Sequence, residues 1–307
     1  MDESFVEEDK SFKSQSKKKK LTRSKYQAQR RKKMRRTRLR PWAFVVFCSI
    51  FVMIIVVNLL TIFDWGKDNK KINDLEKEIE EIVEVNEIED DGEVVNPPPE
   101  KESDYWYYVK VPFYDVDFSG LLEKNSDTIA YINVRGTNVN YPVVQTSNND
   151  YYLTHAFDKS YNDAGWVYMD YRNNKNFGDF NTIIYGHGRL NKTVFGSLKT
   201  LLNKNWQNNK DNYILAISTP TVNYIYQIFS IYTIPTETYY IQTNFKDDNR
   251  RNLWISEMNK RNTSIINSPA NINDIIITLS TCLNDDGMRV VVHAKLIKQL
   301  EKGTVIN

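Results

Sequence analysis

The chain has 307 residues, room for one large domain or two small ones, with 41 Lys/Arg, 39 Asp/Glu and 2 cysteines. Tyrosine is abundant (19) and glycine scarce (11), but the apolar and charged fractions are those of an ordinary globular protein. The net charge of +2 hides an asymmetry: residues 1–40 carry 16 Lys/Arg against 5 Asp/Glu, the remainder 25 against 34. A basic tail on an acidic body points to two environments and argues against a nucleic-acid-binding domain.

In chain order, residues 1–41 are polar and basic without apolar periodicity, and are expected to be a disordered cytoplasmic tail. Next comes AFVVFCSIFVMIIVVNLLTIF, Ala43 to Phe63, with no charge and Asn58 as its one strongly polar residue. At 1.5 Å per residue a helix of this length covers about 30 Å, the thickness of a bilayer core. The flank that follows, Asp64-Trp65-Gly66-Lys67, has no small-residue cleavage pattern, so 42–63 reads as a retained transmembrane anchor. The basic flank KKMRRTRLRP sets the N-terminus in the cytoplasm and everything after about residue 64 outside.

Residues 64–104 read as a stalk and linker. Ile72, Leu75, Ile79 and Ile82 recur at spacings of three and four among many Glu and Lys, a stripe fitting a solvated helical stalk or a short coiled coil. GEVVNPPPEKESD, with three consecutive prolines, favours an extended linker. A single domain is then expected over 105–307.

There the apolar patterns are mostly of strand type: DTIAYINV, VNYPVVQ, GWVYMDY, NTIIYG, DNYILAIST, TVNYIYQIFSIYTI, DIIITLST and RVVVHAKLI. TVNYIYQIFSIYTI alternates over much of its length, the mark of a strand with one buried face. Helical patterns interrupt at 194–203 and 246–262. Eight strands with few helices predict a mainly β fold, a closed or nearly closed eight-stranded barrel.

Cys48 falls in the apolar span, where it serves as a small apolar residue, so Cys282 has no disulfide partner in its own chain. A lone cysteine in an exported domain is an inert buried thiol, an intermolecular bridge or a reactive nucleophile. It ends the strand IIITLSTC, and Arg289 begins the strand RVVVHAKLI after LNDDGM, with an Asp-Gly turn signal. If the two pair antiparallel, Cys282 faces Arg289, at a cross-strand spacing of about 5 Å. The guanidinium would favour a thiolate and stabilise an oxyanion, or it would pair with Asp285 or Asp286 as a loop clamp.

A thiol nucleophile usually works with a histidine, and there are three. His155, in YYLTHAF, and His293, inside RVVVHAKLI, read as structural. His187 ends a buried strand in NTIIYGHGRL, between two glycines that let the backbone expose an imidazole, and reads as a site residue.

TLSTC, with its histidine about 95 residues upstream in NTIIYGHG and an arginine seven residues downstream, resembles the sortase family, membrane-anchored cysteine transpeptidases of Gram-positive bacteria. YPVVQTSNNDYYL, GWVYMDYRN, YGHGRLNKTVFGSL and the helix at 246–262 are similar to class B members in particular. The resemblance covers roughly residues 105–300. It implies that Cys282 attacks a threonine carbonyl in a C-terminal sorting signal of NPxT-like type and forms a thioacyl intermediate. His187 would then be the acid and base, and Arg289 the residue that holds substrate and oxyanion. Ser280, Asn149 and Leu153 match substrate-contacting positions. The implied partners are surface proteins bearing the signal, an amine of the peptidoglycan cross-bridge or its precursor, and the membrane. No metal is expected, because the calcium-binding carboxylates of class A members have no counterpart; no cofactor is expected, because the thioester conserves the energy of the peptide bond, and the charge distribution argues against nucleic acid.

Other readings remain at this point. A pilin-polymerising member would use a lysine side chain as the amine, and a non-enzymatic stalked binding module would keep Cys282 inert. Papain-like peptidases place cysteine before histidine, and cysteine L,D-transpeptidases need an SHGC-type motif that is absent. Asp285 and Asp286 would disfavour a thiolate unless solvated or paired with Arg289.

Overall fold

The computed structural model describes residues 22–31, 41–90, 92–99, 104–282 and 287–303, with Cys282 described through its strand backbone. The expected disorder of 1–41 and the expected turn at 283–286, with Asp285 and Asp286, fall largely or wholly outside these residues. The chain divides into two compact units, Met1–Trp65 and Gly66–Asn307.

The first unit contains a short helix, α1 (residues 22–31), and most of the apolar part of α2 (Pro41–Ile82). Within α2 the apolar window has a mean hydropathy of 2.9 and none of it is buried, so among the described residues this one helix is long and apolar enough to cross a membrane.

In the second unit the end of α2, from Gly66, behaves differently. Ile72, Leu75 and Ile79 are buried and belong to the main core. The stripe that suggested a solvated stalk is a docking face, because the barrel supplies the apolar surface that an isolated helix lacks. Burying each such side chain stabilises by about 1.5–3 kcal/mol. The segment expected to be a linker is also structured. β1 (Val85–Ile88) pairs antiparallel with β3 (Phe113–Val116), and β2 (Glu93–Val94) pairs with the last strand at Lys298 and Gln299. A short helix, α3 (Asp104–Val109), buries Tyr105 and Tyr108. Another, α4 (Ser119–Lys124), precedes the barrel.

The barrel strands are β4 (Thr128–Val134), β5 (Asn140–Val144), β6 (Tyr168–Met169), β7 (Asn181–Tyr185), β8 (Ile214–Ser218), β9 (Val222–Pro235), β10 (Ile276–Cys282) and β11 (Met288–Glu301). They run in the order β10-β7-β6-β5-β4-β8-β9-β11, and β11 pairs back onto β10. The eight-stranded barrel is thus closed, as expected, which leaves these strands no open seam. β5–β6 and β7–β10 are parallel, and the other neighbours antiparallel. GWVYMDY supplies only the two residues of β6. The helical pattern at 194–203 forms a 3-10 turn, Gly196–Leu202, followed by α5 (Lys204–Gln207).

β9 departs from the one-sided burial its alternation suggested: Val222 to Tyr232 are buried on both faces. Over Phe229 and Tyr232 the reason is α6 (Asp248–Lys260), the helix expected at 246–262, while elsewhere β9 lies against β3 and α3. Asp247 caps α6 by accepting from the Arg250 amide at 2.9 Å, and Trp254, Ile255 and Met258 face inward. They form a second apolar cluster with Phe229, Tyr232, Tyr240, Ile276 and Val291. Ile277 and Leu279 belong instead to the barrel interior. Where α6 covers them, β9, β10 and β11 therefore have one face in the barrel and one beneath that helix.

Candidate active site

The strands dictate the arrangement of the site. In the β10–β11 ladder, Cys282 stands opposite Arg289, and Arg289 is flanked on its other side by Ile234 of β9. In the parallel β7–β10 ladder, Ser280 stands beside Tyr185, and the Gly186 amide donates to the Ser280 carbonyl at 3.3 Å. Cys282 lies two residues beyond Ser280, and His187 two residues beyond Tyr185. Three separate stretches of sequence thus reach one end of the barrel at the same level. Parallel register and strand alternation, with period two, cause this.

His187 is half-buried. Its Nε2 lies 2.9 Å from the Leu153 carbonyl oxygen. A carbonyl only accepts, so Nε2 carries the proton and Nδ1 is the nitrogen left for exchange. Burial lowers the affinity of this imidazole for a second proton, and Arg189 and Arg289 push the same way. The Leu153 bond and Asp163 oppose them, and the net shift is downward. Gly165 lies against the ring with φ +58°; a Cβ there would sit 2.5 Å from the Tyr152 carbonyl oxygen and 2.9 Å from His187 Cδ2. Only glycine fits that backbone and that space.

The other two histidines are structural. His155 stacks on Tyr151 with ring centroids 4.1 Å apart, and its Nδ1 lies 2.8 Å from the Tyr151 carbonyl. His293 is fully buried beneath α6, with Nδ1 2.8 Å from Thr278 Oγ1 and Nε2 2.9 Å from the Tyr232 hydroxyl.

The three expected substrate contacts sit in different surroundings. Leu153 is exposed, and its carbonyl is the one that holds His187. Asn149 is half-buried: its Nδ2 donates to Asp170 at 3.0 Å, and its Oδ1 accepts from the Tyr171 amide at 3.0 Å. Ser280 is 4% exposed and its hydroxyl bonds Tyr240 at 2.9 Å, so a ligand reaching it must compete with that tyrosine.

The sequence reading missed Asp170, whose side chain is fully buried beside Tyr185. Its carboxylate accepts from Arg172 Nε and Nη2 at 2.8 and 2.7 Å, from the Tyr185 hydroxyl at 2.9 Å and from Asn149. Burial alone would raise its pKa; the donors, led by Arg172, overcome this and hold it below the ordinary carboxylate range. Arg172 Nη2 also donates to the Ile241 carbonyl, tying this network to the segment before α6. The signal was present as Asp-x-Arg in GWVYMDYRN, a stretch read as a strand and as part of the resemblance, with no role given to Asp170 or Arg172. Among the described residues no group of His, Cys, Asp and Glu is placed to hold a metal ion.

The family profile described as the Sortase domain matches residues 132–297. The chain is 34% identical to Sortase B of Staphylococcus aureus over 186 residues, 59% of this chain and 75% of that protein. It is 31% identical to Sortase B of Listeria monocytogenes over 180 residues, 58% and 72% of the two. A solved Staphylococcus aureus sortase B-substrate complex superposes with a TM-score of 0.54 at 33% identity, covering 59% of this chain and 84% of that one. With the closed barrel and the meeting of β7, β10 and β11 at one end, these likenesses make the assignment: the chain belongs to the sortase family of cysteine transpeptidases, as a class B sortase.

Proposed function

We propose that Cys282, His187 and Arg289 carry the transpeptidation, on a surface protein whose C-terminal sorting signal has an NPxT-like core. The reading rests above all on the two registers that bring Cys282 opposite Arg289 and His187 level with both. The Cys282 thiol passes its proton to Nδ1 of His187 as its sulfur attacks the threonine carbonyl carbon, and the tetrahedral oxyanion is stabilised by the Arg289 guanidinium. The C–N bond breaks as His187 gives its proton to the departing amine, leaving a thioester. An incoming amine of the peptidoglycan cross-bridge or its precursor gives its proton back to His187 and attacks the thioester. An amide forms and the thiol is restored. No external energy source is required, because the thioester conserves the acyl bond.

Leu153, Asn149 and Ser280 line the substrate path in this reading. Leu153 offers exposed apolar surface, the Asp170–Arg172 pair fixes Asn149, and Ser280 acts with Tyr240. The apolar part of α2 serves as a single-pass anchor, with residues 1–41 in the cytoplasm and the barrel domain on the outer side. Its apolar length and the basic flank support this topology.

The test uses the full-length protein in detergent micelles with fluorogenic peptides containing an Asn-Pro-x-Thr core. Cleavage, and joining of the acyl fragment to an added primary amine, are expected from the wild type and lost in Cys282→Ala. Undiminished turnover in Cys282→Ala would remove the proposal.

A further inference from the structure

We propose that the docked end of α2 is a positioning element for the hairpin that carries His187, with Asn69 and Glu76 as its positioning residues. The inference rests on the role given to His187 above and concerns what holds that residue in place.

Residues 187–195 form a closed hairpin. The His187 carbonyl accepts from the amides of Arg189 and Phe195, both at 3.1 Å, and Gly188 bridges to Val194. His187 is therefore the neck of the hairpin, and any shift of its arms turns the histidine backbone. Three atoms of these arms are fixed from outside, all through α2. Buried Asn69 accepts through Oδ1 from Arg189 Nη2 and from Asn191 Nδ2, the latter at 3.1 Å. Glu76 accepts from the Tyr141 hydroxyl at 2.6 Å, and that hydroxyl accepts in turn from the Val194 amide at 3.0 Å.

The arginine makes the clamp consequential. Arg189 Nε is buried without a partner, so this desolvated guanidinium is committed to the bond from Nη2 to Asn69. Its charge acts on His187, lowering the proton affinity of the ring. Asp68, Asp163 and Glu76 surround Arg189 electrostatically, Asp163 also acts on His187, and the charge of Arg289 on β11 acts on the ring as well. Moving Arg189 thus changes both where His187 sits and when it titrates. Elsewhere the same helix docks through Lys71, on Ser160 and Asp158, and through Glu78, on Lys124. Neither contact touches the His187 hairpin, so they separate docking from positioning.

The experiment measures kcat, KM and their pH profiles for the full-length protein with a fluorogenic peptide containing an Asn-Pro-x-Thr core, alongside thermal melts. Asn69→Leu, nearly isosteric but without acceptor, is expected to lower kcat roughly ten- to a hundred-fold, with KM changed much less. Its acid limb should move to higher pH as Arg189 leaves the ring. Asn69→Asp, which keeps the acceptor, should restore most of kcat. Arg189→Gln breaks the same contact from the loop side and serves if Asn69→Leu does not fold. The double variant should be no worse than Asn69→Leu alone, which already removes the Arg189 contact together with that to Asn191. Lys71→Ala and Glu78→Ala should leave kcat and the pH profile unchanged. A wild-type kcat and pH profile in folded Asn69→Leu or Arg189→Gln overturns the inference, as do equal losses in the Lys71 and Glu78 variants. His187→Ala separates the two levels: activity surviving there removes the role of His187 itself, whereas inactivity with silent Asn69 variants removes only the clamp.

Discussion

Two histidines carried by the two strands that flank β10 show what separates structure from chemistry in this barrel. His293, within β11, is wrapped by Phe229, Tyr232 and Trp254, and both ring nitrogens have hydroxyl partners. Burial, assisted by Arg261, pushes its pKa down to about 3, so it stays neutral at physiological pH. His187 stands past the end of β7, half-buried, with one nitrogen on a carbonyl and the other left for exchange. The residue type is the same. Saturated bonding makes the first inert, while the open strand end leaves the second usable.

The largest expected effects lie at the open end. Cys282→Ala should abolish both peptide cleavage and acyl-enzyme formation. His187→Ala should lower kcat/KM by about 10²- to 10⁴-fold, the usual contribution of a positioned acid–base group. Replacing Arg289 with Gln should reduce kcat roughly 10²- to 10³-fold in the same assay, as removal of an oxyanion donor does.

At the closed end the comparison predicts the reverse. His293→Ala removes one partner each from the buried Thr278 and Tyr232 hydroxyls, which keep Asn181 and Met258, and opens a cavity. It should cost about 2–4 kcal/mol in denaturant unfolding, while activity per folded molecule is retained. Burial also gives a pH dependence of known sign. The folded pKa of His293 lies below its unfolded value near 6.5, so its contribution is complete above that pH and lost as pH falls from there toward 3. The slope in that window is at most about 1.4 kcal/mol per pH unit, and His293→Phe should flatten it. Proton removal before attack by the incoming amine should show an acid limb below the ordinary histidine pKa, since the His187 shift is downward.

The smallest effect sharpens the boundary between the two regions. Gly165→Ala forces a Cβ into the Leu153 carbonyl and His187 Cδ2 and strains a backbone at φ +58°. We expect about tenfold lower kcat with a modest change in melting temperature, seen by comparing turnover with thermal denaturation.

The barrel and the β10–β11 hairpin were legible because strand alternation and hairpin order are local signals, whereas the parallel pairing of β7 with β10 is long-range, and His187 was reached through its flanking glycines and the family resemblance. Cys282 opposite Arg289 followed from six intervening residues alone. The Asp170 network was not legible, because its partners Tyr185 and Asn149 lie 15 and 21 residues away and only folding assembles them. The docking of Ile72, Leu75 and Ile79 escaped for a related reason: an amphipathic stripe gives the buried face but not the surface that covers it. Burial of the second face of β9 at Phe229 and Tyr232 likewise depends on α6, supplied later in the chain.

Intact-protein mass spectrometry with peptide mapping, after mixing the full-length protein with a peptide containing an Asn-Pro-x-Thr core, addresses the three-residue site most directly. The expected result is an acyl adduct on Cys282 that forms rapidly, discharges on addition of a primary amine, and forms far more slowly in His187→Ala. An adduct at another residue, or unchanged acylation of Cys282 without His187, would contradict the site.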